Sequence, residues 1–208
     1  MSEIHTGWRS ILARPEVYRW AREVLGLNRW LDKYVMEYVK PQPGEKILDI
    51  GCGTGEIVRY LAGCEYLGID RHQPYITYAQ QTFGSAGRFI CADVADHIDA
   101  FDSRFDVILA NGLLHHLDDD LAHRLFELGH RALAENGRLI TVDPCYFVDQ
   151  SRITRFIVSR DRGQNVRWRE QYVELARPTF QNVAGKLWHG YLPIPFSVSI
   201  VECRKMPA

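Results

Sequence analysis

The sequence has no CxxC pair and only five cysteines among 208 residues, at positions 52, 64, 91, 145 and 203. An odd count without paired spacing argues against a disulfide framework or a thiolate zinc site, and fits a reducing compartment. Positive charge has no surplus: 25 lysines and arginines face 26 aspartates and glutamates. The electrostatic footprint of a dedicated nucleic-acid binder is therefore missing. No apolar run approaches the roughly 20 residues of a membrane span. The opening MSEIHTGWRS has no apolar core of signal-peptide length. Repeats and low-complexity tracts are absent too. What is present is an ordinary globular composition, 46% hydrophobic and 25% charged, at a length that suits one core. A cytoplasmic protein with no membrane partner is the expectation, as monomer or homodimer.

Apolar runs alternate with helical patterns. Residues 29–40 place Leu31, Tyr34, Val35, Tyr38 and Val39 on one helical face, before Pro41, Pro43 and Gly44 break it. KILDI at 46–50 reads as a buried strand that runs into GCGTG at 51–55 and a helix over about 55–62. Further strands are expected at 65–69, 88–92, 105–110 and 138–142, with helices at about 74–83 and after an Asp118 N-cap. Such alternation implies a parallel sheet covered on both faces. Residues 144–179 read as one or two helices with loops. The strands at about 180–189 and 196–204, with Pro193 and Pro195 between them, read as a closing β-hairpin. The count is seven strands.

In such a sheet a ligand binds beyond the C-terminal strand ends, where the strand order reverses. Polar residues stand at or near those ends: Asp49, Asp70, Asp93, Asn111 and Asp143. Gly51, Gly53 and Gly55 follow the first strand, and Asp70 lies about twenty residues beyond the start of that loop, where an acid meets ribose hydroxyls. The loop is not the dinucleotide fingerprint, since position 56 is Glu56 rather than glycine. An acid ahead of the loop repels a pyrophosphate and suits a ligand that carries a cation and no phosphate.

ILDIGCGTGEIVRYL at 47–61 resembles motif I of the class I S-adenosyl-L-methionine (SAM)-dependent methyltransferases. GID at 68–70, CADV at 91–94, FDVILANGLLHHL at 105–117 and LAENGRLITVDP at 133–144 are similar to the later motifs in order and spacing. The resemblance implies an α/β, Rossmann-like, seven-stranded, mostly parallel sheet with an antiparallel last strand and helices on both faces. It also implies one domain over 1–208, with a helical N-terminal lid at 1–45, a SAM-binding core at 46–143, a helical acceptor-binding insertion at 144–179 and a C-terminal hairpin at 180–208. By the same resemblance Asp49, Gly51, Cys52 (through its backbone) and Gly53 hold the methionine part of SAM. Asp70 binds the ribose hydroxyls, and Arg71 flanks the adenine. Asp93 and the Val94 amide read the adenine edge, and Asn111 and Gly112 line the methionyl end. The product is S-adenosyl-L-homocysteine.

Methyl transfer from a sulfonium is an in-line displacement, so positioning supplies much of the rate, and a base is needed only where the acceptor loses a proton. His115 and His116 follow strand four. Either is a candidate base, with His115 nearer the strand end, and the alternative is that they hydrogen-bond the loop. HHLDDD at 115–120 is no recognised metal-ligand spacing, and no metal is expected. Pro144-Cys145 follows strand five rather than strand four, and Asn111-Gly112-Leu113-Leu114 stands where an Asn-Pro-Pro-Tyr type motif belongs. Both departures weigh against a nucleic-acid acceptor. Within 144–179, seven arginines at 152, 155, 160, 162, 167, 169 and 177 face four acids, Asp149, Asp161, Glu170 and Glu174. Arginine suits bidentate binding of carboxylate or phosphate, with a solvated helix face as the alternative. Tyr18, Tyr146, Arg155, Arg162, Arg167 and Tyr191 are the candidate acceptor-binding residues. The expectation is methyl transfer to a small organic acceptor, at oxygen, carrying an acidic or phospho-linked group. The alternatives are a SAM-binding protein with a non-methylating or regulatory role, and an RNA methyltransferase.

Overall fold

The computed structural model describes residues 27–94, 104–161, 163–189 and 195–207. The expected lid over most of 1–45, and the candidate acceptor residues Tyr18, Arg162 and Tyr191, fall outside the described residues. In chain order the elements are α1 (Leu27–Tyr34), β1 (Lys46–Ile50), β2 (Glu65–Asp70), α2 (Gln73–Phe83), β3 (Arg88–Cys91), β4 (Phe105–Asn111), α3 (Asp119–Ala132), β5 (Leu133–Tyr146), α4 (Arg152–Ser159), β6 (Arg167–Trp168), α5 (Arg169–Ala176), β7 (Asn182–His189) and β8 (Ser197–Arg204). None of the described helices is long and apolar enough to cross a membrane.

The strands lie in the order β3-β2-β1-β4-β5-β8-β7, with β6 paired to the end of β5. The first five pair in parallel, and β8 runs antiparallel to both β5 and β7. The order reverses between β1 and β4, so their C-terminal ends diverge into a crevice. Seven of the eight described strands overlap the stretches that the sequence assigns to strands. The addition is β6, two residues alongside Cys145 and Tyr146, too short to leave a periodic signal.

Strand alternation sends Ile47 to one face of the sheet and Leu48 and Ile50 to the other, and each face carries its own apolar cluster. On one face α3 contributes Ala122, Leu125, Phe126 and Ala132. Its start is capped as expected, the Asp118 carboxylate accepting from the Leu121 amide at 2.9 Å. On the other face α1 and α2 supply Leu31, Tyr34, Ile76, Ala79 and Phe83. Tyr34 there stacks on Trp30 with ring centroids 5.5 Å apart, and Trp188 of β7 closes the group.

Two elements differ from expectation. The helix expected over 55–62 is one 3-10 stretch, Glu56–Tyr60, because Gly55 enters it at φ 73° and Gly63 follows closely. The fifth strand starts at Leu133 rather than 138. The Asn136-Gly137 turn survives inside it as a bulge, with Asn136 at φ 61° and the register on β4 jumping from Leu133 to Arg138.

Candidate active site

The glycine turn after β1 is held from within. The Gly51 and Cys52 amides both donate to the Ile69 carbonyl, at 2.8 and 3.1 Å, and the Gly55 amide donates to the Cys52 carbonyl. The Gly53 amide donates to Asp70 Oδ2 at 2.9 Å, and the His72 amide to Asp70 Oδ1 at 2.8 Å. These four turn amides are therefore consumed inside the fold, which is the opposite of a phosphate-cradling nest. Asp70 keeps further lone pairs on both oxygens for hydroxyl donors. Gly53 sits at φ 55°, and a Cβ there would meet nothing within 4 Å, so the turn faces open space at that point. The donors and acceptors present fit SAM: a carboxylate for a ribose diol, four turn amides already bonded and so withheld from a phosphate, and acids for a cationic group.

One of those acids is Asp49. It is buried on β1 and accepts a 2.7 Å bond from the Tyr66 hydroxyl. Burial raises its carboxyl to about 7, against the lowering effect of the Tyr66 bond, with Asp70 adding to the rise. Its charge is thus conditional, and a cation nearby favours the ionised form. Cys52 offers only backbone, since burial and the two aspartates push its thiol far up and keep it protonated. Asn111 accepts through Oδ1 from the Tyr34 hydroxyl at 2.9 Å, which orients its amide at the end of β4. Gly112 turns the chain at φ 66°. Arg71 and Asp93 face each other at 3.6 Å as a half-exposed ion pair, and Val94 leans on the core. The structure thus brings the ten cofactor candidates together around the C-terminal ends of β1 to β4.

His115 is built differently from a free base. Its ring is buried, with Nδ1 at 2.8 Å from Asp143 Oδ1 and Nε2 at 3.1 Å from Asp161 Oδ1. Burial alone would lower its pKa, but the hydrogen bonds to Asp143 and Asp161, together with their charges, outweigh it and raise it to about 9. With a carboxylate on each nitrogen the imidazolium is the resting form, and it has no lone pair with which to accept a proton. Both ring nitrogens are thus engaged inside the fold, which favours for His115 the alternative of bonding the loop over that of a base. Its backbone repeats the theme: the His115 amide donates to Asp143 at 3.1 Å, and the Asn165 amide donates to the His115 carbonyl at 2.9 Å. A Cβ at Gly163 would collide with the His115 ring and stand 2.5 Å from its carbonyl oxygen. His116 is the exposed member of the pair, its ring centroid 4.1 Å from that of His115.

Arg167 is also corrected. It is buried, and its five N–H groups make five bonds: two to Asp119 Oδ1, and one each to the carbonyls of Leu114, Leu117 and Asn165. No donor remains for an acceptor's acid. Arg155 is placed differently from Arg167. Its guanidinium is exposed, lies 5.7 Å from the Tyr146 ring and 5.6 Å from the Trp168 ring, and has no carboxylate partner among the described residues.

Asp161, Tyr34 and Tyr66 were not singled out from the sequence. Asp161 counted only as one acid among arginines, and the two tyrosines read as core. Asp143, seen only as a polar strand end, proves central. Its second oxygen is buried without a protein partner, as is Oγ of Ser199, its opposite number across the β5–β8 register. Facing orphans of this kind are where ordered water bridges.

The mixed α/β, mostly parallel sheet with antiparallel last strands is the Rossmann-like fold seen in class I SAM-dependent methyltransferases. Residues 47–137, somewhat under half of the chain, match the family model described as a methyltransferase domain, and the chain is similar there to SAM-dependent methyltransferases. Geranyl diphosphate 2-C-methyltransferase of Saccharopolyspora erythraea is 26% identical over 136 residues, which is 62% of this chain and 47% of that protein. The chain spans less than half the length of the first curated relatives it matches. Geranyl diphosphate C-methyltransferase of Streptomyces coelicolor, solved with geranyl diphosphate and S-adenosyl-L-homocysteine, superposes with a TM-score of 0.66 at 13% identity, over 86% of this chain and 81% of that one. The [4+2]-cyclase SpnF superposes at 0.65 with 17% identity, over 86% and 81%. At those identities the likeness is one of fold.

Proposed function

We propose that this chain binds SAM at the β1–β4 crevice and transfers its methyl group to oxygen of a small organic acceptor that carries an acidic or phospho-linked group, releasing S-adenosyl-L-homocysteine. The observation that carries the cofactor assignment is the glycine turn whose Gly51, Cys52, Gly53 and Gly55 amides are closed internally while Asp70 keeps acceptor capacity. SAM supplies a methyl group made electrophilic by its sulfonium. Asp70 takes the ribose diol, Arg71, Asp93 and Val94 border the adenine, and Asp49 faces the cationic side of the ligand. Asn111, fixed by Tyr34, and Gly112 position the methionyl end. His115 holds the wall of the site in place, and His116, exposed beside it, takes the acceptor's proton.

The acidic group of the acceptor docks on Arg155, whose guanidinium is oriented by Tyr146 and Trp168 and otherwise uncommitted. Curated relatives named for geranyl diphosphate and phosphoethanolamine support an anionic acceptor. The cyclase neighbour favours a second reading, a SAM-binding protein that does not transfer methyl. Calorimetric titration with SAM and S-adenosyl-L-homocysteine, followed by a homocysteine-release screen over phosphorylated and carboxylated alcohols, separates the two. Binding with release supports methyl transfer, and binding without release for any acceptor supports the second reading. Absence of binding to either nucleoside overturns both.

A further inference from the structure

Among the described residues six large hydrophobic side chains are exposed, and four of them, Val148, Ile153, Phe156 and Trp168, belong to one stretch around α4. On that helix Thr154 and Val158 are buried and fix the inward side. At about 100° per residue, the opposite arc carries Arg152, Phe156, Arg160 and Ile153. Ile153 is 65% exposed, Phe156 58%, and Val148, in the turn just ahead of the helix, 72%. Arg160 lies over the Phe156 ring at 5.0 Å. Neither Arg152 nor Arg160 has a carboxylate partner among the described residues, and the exposed acid nearby is Asp149. Arg155 lies on the flank of this arc against Tyr146 and Trp168, so the outward stripe is separate from the proposed acceptor contact.

Apolar side chains this exposed are not an ordinary solvated face, where charge alone would stand. Guanidiniums interleaved with aliphatic and aromatic groups match a surface that offers phosphates with hydrocarbon just beneath them. Ile153 and Val148 have no ring to stack on a base, and the chain as a whole has no basic surplus, so nucleic acid is the poorer complement. We propose that the outward stripe of α4, with Val148 beside it, docks the protein peripherally on an anionic lipid bilayer. Val148, Ile153 and Phe156 enter the headgroup boundary while Arg152 and Arg160 pair with lipid phosphates. The inference stands on this face alone and does not depend on the methyl-transfer reading.

The test is co-sedimentation of the full chain with phosphatidylcholine vesicles, with and without about 30 mol% phosphatidylglycerol. Binding to the anionic vesicles is expected to exceed that to the zwitterionic ones by about tenfold or more, and to weaken in high salt. The double variants Ile153→Asp/Phe156→Asp and Arg152→Glu/Arg160→Glu are each expected to lose that binding, while their circular dichroism and SAM titration match the parent. Equal or absent binding to the two vesicle types overturns the proposal, and so does vesicle binding untouched by either double variant. Capture of tRNA that depends on these side chains, without vesicle binding, overturns it in favour of a nucleic-acid surface.

Discussion

Asp49 and His115 are both buried ionisable groups at strand ends, and their environments drive them in opposite ways. Asp49 lies among apolar neighbours with a single hydroxyl donor, so its carboxyl rises to about 7. A cationic ligand binds the ionised form better, so SAM affinity is expected to climb between pH 6 and pH 7.5. Asp49→Asn should flatten that climb in calorimetry across the range, and a parent profile already flat would remove Asp49 from the ligand's side. His115 is charged by its partners, and its pKa of about 9 lies above the unfolded value near 6.5. Its contribution is therefore complete below pH 6.5 and is lost as pH rises through about 9. The parent minus His115→Asn difference in unfolding free energy is expected to shrink by about 3 kcal/mol at most from pH 6.5 to pH 10. Urea titrations of the two proteins at matched pH measure that difference, which cancels the titration of the buried cysteines. A pH-independent difference would show that the imidazolium is not the form that holds the loop.

At the scale of elements, the segment from α4 to β6 is pinned to the turn after β4. The pins are His115 to Asp161, the Asn165 amide to the His115 carbonyl, and Arg167 to Leu114, Leu117 and Asp119. Arg167→Met leaves several carbonyls without donors, and a loss of about 2–4 kcal/mol in chemical unfolding is expected. Gly163→Ala should disturb the same junction by steric collision and raise amide exchange at 160–166 more than in the strands. Parallel strands and the capped α3 were legible in the sequence, because buried strands and Asp118 leave local signals. The gathering of Asp49, Gly51, Asp70 and Asp93 at neighbouring strand ends was legible too, since alternation alone locates those ends. The pinning was not legible. Arg167 and Arg155 look identical as residues in an arginine-rich stretch, and only the path of the chain after α4 decides that one is interior and the other is not. His115 looked like a base for the same reason, since Asp161 lies 46 positions away in sequence and meets it only through that path.

At the scale of the whole molecule, one sheet carries two apolar layers, and the crevice opens at the C-terminal ends of its parallel strands. A ligand held there touches β1, β2 and β4 together, so its binding free energy acts on the central part of the sheet. At a hundredfold excess over the dissociation constant SAM is expected to add about 2.7 kcal/mol to stability, seen as a higher melting temperature by calorimetry. Asp70→Ala should abolish that shift while the unliganded protein still melts cooperatively. The closed glycine turn has a consequence for competition in the cell. Adenine nucleotides share the adenosine that the crevice reads, and they are abundant. Under the proposed reading, their triphosphate tail would arrive where the Gly51, Cys52, Gly53 and Gly55 amides are already bonded and Asp49 and Asp70 are close by, so charge repulsion discounts each of them. On that reading, discrimination between adenosine carrying a cation and adenosine carrying phosphates resides in the backbone of one turn and the two acids beside it.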